Sequence, residues 1–137
     1  MTNGLEKQRI LIVDDIPGNI KTLQAILDGQ YKLSVATNGQ DALKIVAAMP
    51  VNLILLDIVM PGMDGFEVCK RLKSDHATKD IPVIFITTRN ATEDSQKGFA
   101  LGAVDYIPKP FVPQVVLSRV DSTLGKKLSA ADLPFLI

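Results

Sequence analysis

Four apolar runs spread along this chain each end on a polar chemical group, and that repetition constrains the fold more than any other feature. Arg9-Ile10-Leu11-Ile12-Val13 runs into Asp14 and Asp15, and Leu53-Ile54-Leu55-Leu56 runs into Asp57. Ile81-Pro82-Val83-Ile84-Phe85-Ile86 runs into Thr87 and Thr88, and Val104-Asp105-Tyr106-Ile107 into Pro108, Lys109 and Pro110. The runs are short, rich in Val, Ile and Leu, and do not alternate with polar residues. That is the pattern of strands in a parallel sheet covered on both faces. In an open parallel sheet the carboxyl ends of the strands form the ligand-binding edge. Three carboxylates, a hydroxyl and a lysine are therefore expected to meet at one edge.

The segments between these runs read as helices. Pro17 can start the first, and Ile20, Leu23, Ile26 and Leu27 form its apolar stripe up to Asp28-Gly29. A second strand at about Lys32–Ala36 precedes a helix after Thr37-Asn38-Gly39, with Ala42, Leu43, Val46 and Ala47 facing inward. Val59-Met60-Pro61-Gly62-Met63-Asp64-Gly65 is rich in turn residues. It leads to a third helix, running to about Lys73, in which Phe66, Cys69 and Leu72 share one face. A fourth helix covers roughly Thr92–Leu101, ending at Gly102, and a fifth roughly Val112–Leu124, ending at Gly125. Five β-α units imply an α/β sandwich with right-handed crossovers.

A chain of 137 residues is expected to hold one domain with a substantial core. Here that domain is residues 9–125, with a loose polar stretch at 1–8 and a tail or linker start at 126–137. Lys+Arg and Asp+Glu are both 15, so no net field draws the chain to nucleic acid or to a membrane. No apolar run is long enough to cross a bilayer, and no signal-peptide pattern is present, so a soluble cytoplasmic protein is expected. Cys69 is the one cysteine, which excludes a disulfide framework and a thiolate metal site. It reads as a helix-packing residue, and His76, among polar loop residues, as solvent-exposed and inert. The apolar tail segment Leu133-Pro134-Phe135-Leu136-Ile137 reads as a docked tail, as the start of a longer protein, or as a dimer contact.

Asp14, Asp15 and Asp57 placed in one cleft repel one another without a cation, and at least one should have a raised pKa. All-oxygen ligands, with room left for water or phosphate, suit Mg²⁺; Ca²⁺ would want more protein oxygens. Thr87 and Lys109 supply the hydroxyl and ammonium that a transferring phosphoryl group needs around its equatorial oxygens. Thr88 is adjacent, so the choice of Thr87 depends on strand register; Thr87 comes directly after the apolar run. One carboxylate can then act as a nucleophile and form an aspartyl phosphate. Asp57 is the candidate, because it stands alone after the most apolar strand, whereas Asp14 and Asp15 form a metal-type pair.

In these residues the chain resembles the receiver domain of two-component response regulators, from about Arg9 to Leu124. The resemblance rests on Val13-Asp14-Asp15, Leu56-Asp57, Met60-Pro61-Gly62-Met63-Asp64-Gly65, Ile86-Thr87, and Gly102 through Phe111. It implies a flavodoxin-like (βα)5 fold with strand order 2-1-3-4-5. It also implies phosphorylation at Asp57, with Mg²⁺ held by Asp14 or Asp15, Asp57 and the backbone carbonyl of Val59. Thr87 and Lys109 become phosphate partners, Tyr106 an aromatic switch, and Lys109–Pro110 a cis peptide. The implied partners are a sensor histidine kinase or a histidine phosphotransfer protein. A second copy or an output domain would be engaged through the face of the fourth helix, fifth strand and fifth helix. Asp15-Ile16-Pro17-Gly18-Asn19 is similar to receivers joined to cyclic-dinucleotide or other signalling outputs. Val59 and Arg89 should flank the phosphoryl group, and neither can orient a hydrolytic water. A phospho-accepting regulatory domain with slow self-dephosphorylation is therefore expected, rather than an enzyme.

Three other readings compete. A haloacid-dehalogenase-like phosphatase would need Asp-x-Asp straight after the first strand, where Ile16 and Pro17 stand instead. A flavin carrier would place hydroxyls and glycines, not two carboxylates, in the first loop. A receiver-like interaction module that is never phosphorylated usually lacks one of the five site residues, and none is missing here.

Overall fold

The computed structural model describes residues 7–88 and 92–125. Residues 1–6, Arg89 and the apolar tail lie outside that range. Strands and helices alternate throughout: β1 (Arg9–Val13), α1 (Pro17–Leu27), β2 (Lys32–Ala36), α2 (Gly39–Ala48), β3 (Leu53–Asp57), α3 (Gly65–Lys73), β4 (Val83–Thr87), α4 (Thr92–Ala100), β5 (Asp105–Pro108) and α5 (Pro113–Thr123). All pairings are parallel, in the order β2-β1-β3-β4-β5, which is the flavodoxin-like order.

The non-alternating runs reflect a sheet buried on both faces. Successive side chains of a strand point to opposite sides. Leu11, Val13, Ile54, Leu56, Val83 and Phe85 join one core cluster, with Ala42 of α2 and Val68, Cys69 and Leu72 of α3. Ile10, Ile12, Leu53, Leu55, Ile84, Ile86 and Ile107 join the other, with Ile20, Leu23 and Leu27 of α1 and Val116 and Val120 of α5. Both clusters need apolar side chains, so the interiors of β1, β3 and β4 hold no polar residue, whereas the edge strands β2 and β5 admit Lys32, Ser34 and Asp105.

The helix starts are specified locally. Asn38 caps α2 through its side-chain oxygen, which accepts the Asp41 N–H at 2.8 Å, and Asp64 caps α3 by accepting the Glu67 N–H at 2.9 Å. Pro17 and Pro113 stand at the starts of α1 and α5, where a missing N–H costs nothing.

Three details differ from the sequence reading. β3 and β4 each extend one residue further, because the ladder continues through Asp57↔Ile86 and Thr87↔Pro108. The two polar groups are thus the last residues of strands, with strand-fixed backbones. β5 and α5 start one residue later, at Asp105 and Pro113, and α4 and α5 stop one earlier, at Ala100 and Thr123. Ala47 is exposed rather than inward-facing. The covered side of α2 is Ala42 with the half-buried Leu43, Ile45 and Val46, and Ala47 lies round the helix from it. Cys69 is buried, its thiol against the Leu101 carbonyl at 3.7 Å, and His76 is exposed.

Candidate functional site

The carboxyl edge of the sheet collects its chemistry from three neighbouring strand ends and one loop. Asp14 follows β1 and is fully buried. Its Oδ1 accepts the Ile16 N–H at 2.9 Å, which fixes the carboxylate, while its Oδ2 has no hydrogen-bond partner. Asp15 Oδ1 is likewise buried and unpartnered. Asp57 ends β3 with 2% of its surface exposed. Ligand atoms of Asp14, Asp15 and Asp57 all lie within 4.8 Å of one another. Lys109 reaches in from beyond β5, its ammonium 3.5 Å from Asp57 Oδ1 and 3.6 Å from Asp14 Oδ2.

The cluster is electrostatically unbalanced. Burial pushes the Asp57 carboxyl up to about 6, and the Asp14 charge adds to the effect. The Lys109 ammonium and the Val59 backbone N–H pull it down, but less strongly. Buried carboxylate oxygens are seldom left without donors. Two orphaned oxygens facing a third carboxylate, in an all-oxygen donor set, fit a hard divalent cation of the Mg²⁺ type.

The loop after β3 is shaped to support Asp57. A Cβ at Gly65 would stand 2.3 Å from the Asp57 carbonyl oxygen and 2.8 Å from Ile58 Cα. Only glycine lets α3 begin so close behind the acidic residue. Gly62 turns the loop with φ +76, and the Gly65 N–H donates to the Ile58 carbonyl at 2.8 Å. Val59 donates its N–H to Asp57, while its side chain is 71% exposed.

The other sequence candidates lie close by. Thr87 is buried and Thr88 exposed. The Thr87 carbonyl accepts the Lys109 N–H at 2.7 Å, which ties β4 to the lysine-bearing turn. The Lys109–Pro110 peptide is cis. Thr87 also lines a cavity with Phe85, Gly98, Phe99 and Tyr106. Tyr106 is half-buried, its ring T-shaped against Phe99 with centroids 6.3 Å apart, and 5.3 Å from the Arg119 guanidinium. The sequence reading missed Phe99 and Arg119. Arg119 lies one position before Val120 on the apolar stripe of α5, and nothing in local spacing marks a residue that reaches a neighbouring strand.

Residues 10–121 match the family model of the response regulator receiver domain. A Vibrio cholerae protein described as a probable cyclic di-GMP phosphodiesterase is 46% identical over 125 residues, which are 91% of this chain and 28% of that protein. The response regulator PleD of Caulobacter vibrioides is 42% identical over 126 residues, again 91% of this chain and 28% of that one. The chain thus spans under a third of the length of these two relatives. Among solved structures, the chemotaxis protein CheY4 of Vibrio cholerae superimposes with a TM-score of 0.82 at 29% identity, over 86% of this chain and 99% of that one. The chain belongs to the response regulator receiver-domain family of two-component signalling. Among the described residues, no helix is long and apolar enough to cross a membrane.

Proposed function

We propose that this receiver, residues 9–125, accepts a phosphoryl group on Asp57 from the phosphohistidine of a sensor kinase or phosphotransfer protein, and acts in the cytoplasm. The observation that carries this reading is the placement of one ammonium within 3.6 Å of two buried carboxylates, beside a third whose buried Oδ1, on Asp15, accepts no hydrogen bond. A structural ion pair needs one carboxylate per ammonium, whereas here three carboxylates gather around one and Asp15 Oδ1 is left buried without a donor.

A carboxyl that titrates near 6 is mostly ionised at neutral pH, so an Asp57 oxygen is available as a nucleophile. Its attack forms an O–P bond as the P–N bond to the donor imidazole breaks, and the imidazole leaves with its electron pair and takes up a proton. Asp14, Asp15, Asp57 and the Val59 carbonyl would hold Mg²⁺, which when bound neutralises charge on the phosphoryl oxygens. Lys109 is placed to balance charge on the same oxygens, and Asp14, fixed by Ile16, keeps the cluster in register. The Thr87 hydroxyl would donate to a phosphoryl oxygen once drawn towards it. That movement would open space at the cavity it shares with Tyr106, letting the ring turn inward and changing the surface of α4, β5 and α5. A second copy or an output domain would read that surface.

Acetyl phosphate with Mg²⁺ tests the site directly. The protein should gain one phosphoryl mass, and Asp57→Asn should gain none. Unchanged labelling in the mutant would place the nucleophile elsewhere, and no labelling of wild type would favour a receiver-shaped interaction module instead.

A further inference from the structure

Tyr106 is contacted through both its backbone and its ring by one residue to which the phosphoryl chemistry gives no role. Arg119, on α5, donates a hydrogen bond to the Tyr106 backbone carbonyl, and the same Nη1 stands 3.4 Å from Asp105 Oδ1. These two contacts fix the guanidinium beside β5. So fixed, it lies 5.3 Å from the centre of the Tyr106 ring, within cation–π range. The ring also packs T-shaped against Phe99, and it lines a cavity with Thr87, Phe85 and Gly98.

We propose that Arg119 is a positioning residue that holds the Tyr106 ring in its resting place and thereby sets how strongly this receiver resists switching before it is phosphorylated. The inference rests on the switch reading given above. The backbone bond from Arg119 to Tyr106 survives a rotation of the side chain, because it involves the carbonyl alone. The ring contact does not survive, because an inward turn takes the π face away from a guanidinium that Asp105 and the carbonyl keep in place. An interaction made in one packing and lost in the other biases the balance between them. Arg119 therefore opposes the inward state, and its removal should partly activate the receiver without phosphate.

Tyr31 and Tyr106 are the two tyrosines of the chain. A fluorine label on tyrosine gives two NMR signals, assigned by Tyr31→Phe. In wild type, beryllofluoride with Mg²⁺ should move the Tyr106 signal and leave that of Tyr31 in place. In Arg119→Gln without beryllofluoride, the Tyr106 signal should already lie part of the way towards that position, with a roughly two- to fivefold larger inward fraction. Arg119→Lys, which keeps a cation but not the forked geometry, should restore part of the resting position. If beryllofluoride moves the ring in both proteins but their resting signals coincide, the role of Arg119 is overturned and the switch stands. If beryllofluoride leaves Tyr106 unmoved in wild type, the switch reading fails and this inference falls with it.

Discussion

Lys109 and Asp57 face each other at 3.5 Å across the carboxyl edge of the sheet, yet the Asp57 carboxyl still titrates near 6 rather than in its ordinary range. An ammonium that close should favour the ionised form. It is outweighed because Asp57 is buried and the Asp14 charge repels its own. Without a divalent cation, the folded site is therefore held at a cost in free energy.

Removing that charge should stabilise the ion-free protein. The Asp57 pKa is raised from 3.8 to about 6 on folding, so the folded state binds its proton more tightly than the unfolded state. The resulting stability is present below 3.8 and lost as pH rises through about 6. Asp57→Asn should be more stable than wild type at pH 7 without Mg²⁺, by as much as ~3 kcal/mol, with the gap closing below pH ~4. Urea unfolding of both proteins at pH 4 and 7 in chelator is the measurement. A gap that does not change with pH would count against the buried Asp57 charge as its cause.

Mg²⁺ should stabilise wild type by relieving the same repulsion. At millimolar metal the gain should be of order 1–3 kcal/mol, by mass action on the native state. Asp14→Asn, which alters an orphaned carboxylate, should lose most of it. Thermal melts with and without Mg²⁺ compare the two, and a wild-type melt indifferent to metal would refute the site.

Much of this was legible in the sequence, for a definite reason. The central strands β1, β3 and β4, covered on both faces, are apolar through their interiors, so the first polar residue after each run marks its carboxyl end. Topology then brings Asp14, Asp15, Asp57 and Lys109 together whatever the loops do. Contacts set by how helices sit on the sheet were not legible. Tyr31 bonds Asp121 across 90 residues, Arg119 reaches from α5 to β5, and Ala47 points away from the core. None of these produces a local period or motif.

Gly65 should tolerate no side chain. A methyl there would collide with the Asp57 carbonyl at 2.3 Å, and backbone atoms cannot turn aside as the tip of a flexible side chain can. Gly65→Ala should cost about 1–3 kcal/mol and displace Asp57, weakening Mg²⁺ binding as well as the fold. Gly18→Ala is the control, since a Cβ at that position meets nothing within 4 Å. Equal stability and metal response in the two variants would show that the loop can move.

The Tyr31 hydroxyl donates to Asp121 on α5, and burial, with Asp121, pushes the Tyr31 pKa up from 10.0. The neutral phenol is thus preferred in the folded state. Its contribution is complete below pH 10.0 and is lost as pH rises towards the folded-state value. Tyr31→Phe should cost about 1 kcal/mol at pH 7, with a smaller difference from wild type at strongly alkaline pH. Parallel denaturant curves at pH 7 and 11 decide it, and a difference that grows with pH would reverse the assignment.

A phosphoryl group on Asp57 would stay there as long as water is kept from attacking it. Hydrolysis needs a water held in line with the phosphorus. Val59, two residues beyond the acceptor, supplies an N–H to the carboxylate but no side-chain polar atom. Its side chain is 71% exposed and can neither accept a hydrogen bond from water nor orient one. Arg89 lies outside the described residues, and its guanidinium has donors only, so it cannot take a proton from the water. Decay of the phosphoprotein should therefore be slow, suited to sustained signalling. Placing an amide at the first position and a carboxylate at the second, in Val59→Asn/Arg89→Glu, should speed phosphate release about tenfold, which is roughly 1.4 kcal/mol of barrier. Val59→Asn alone separates the two positions, because exposure leaves its amide free to reach the incoming water. Phosphate release from purified phosphoprotein gives the rates. Equal or slower decay in the double variant would mean that another group of the site already holds the water.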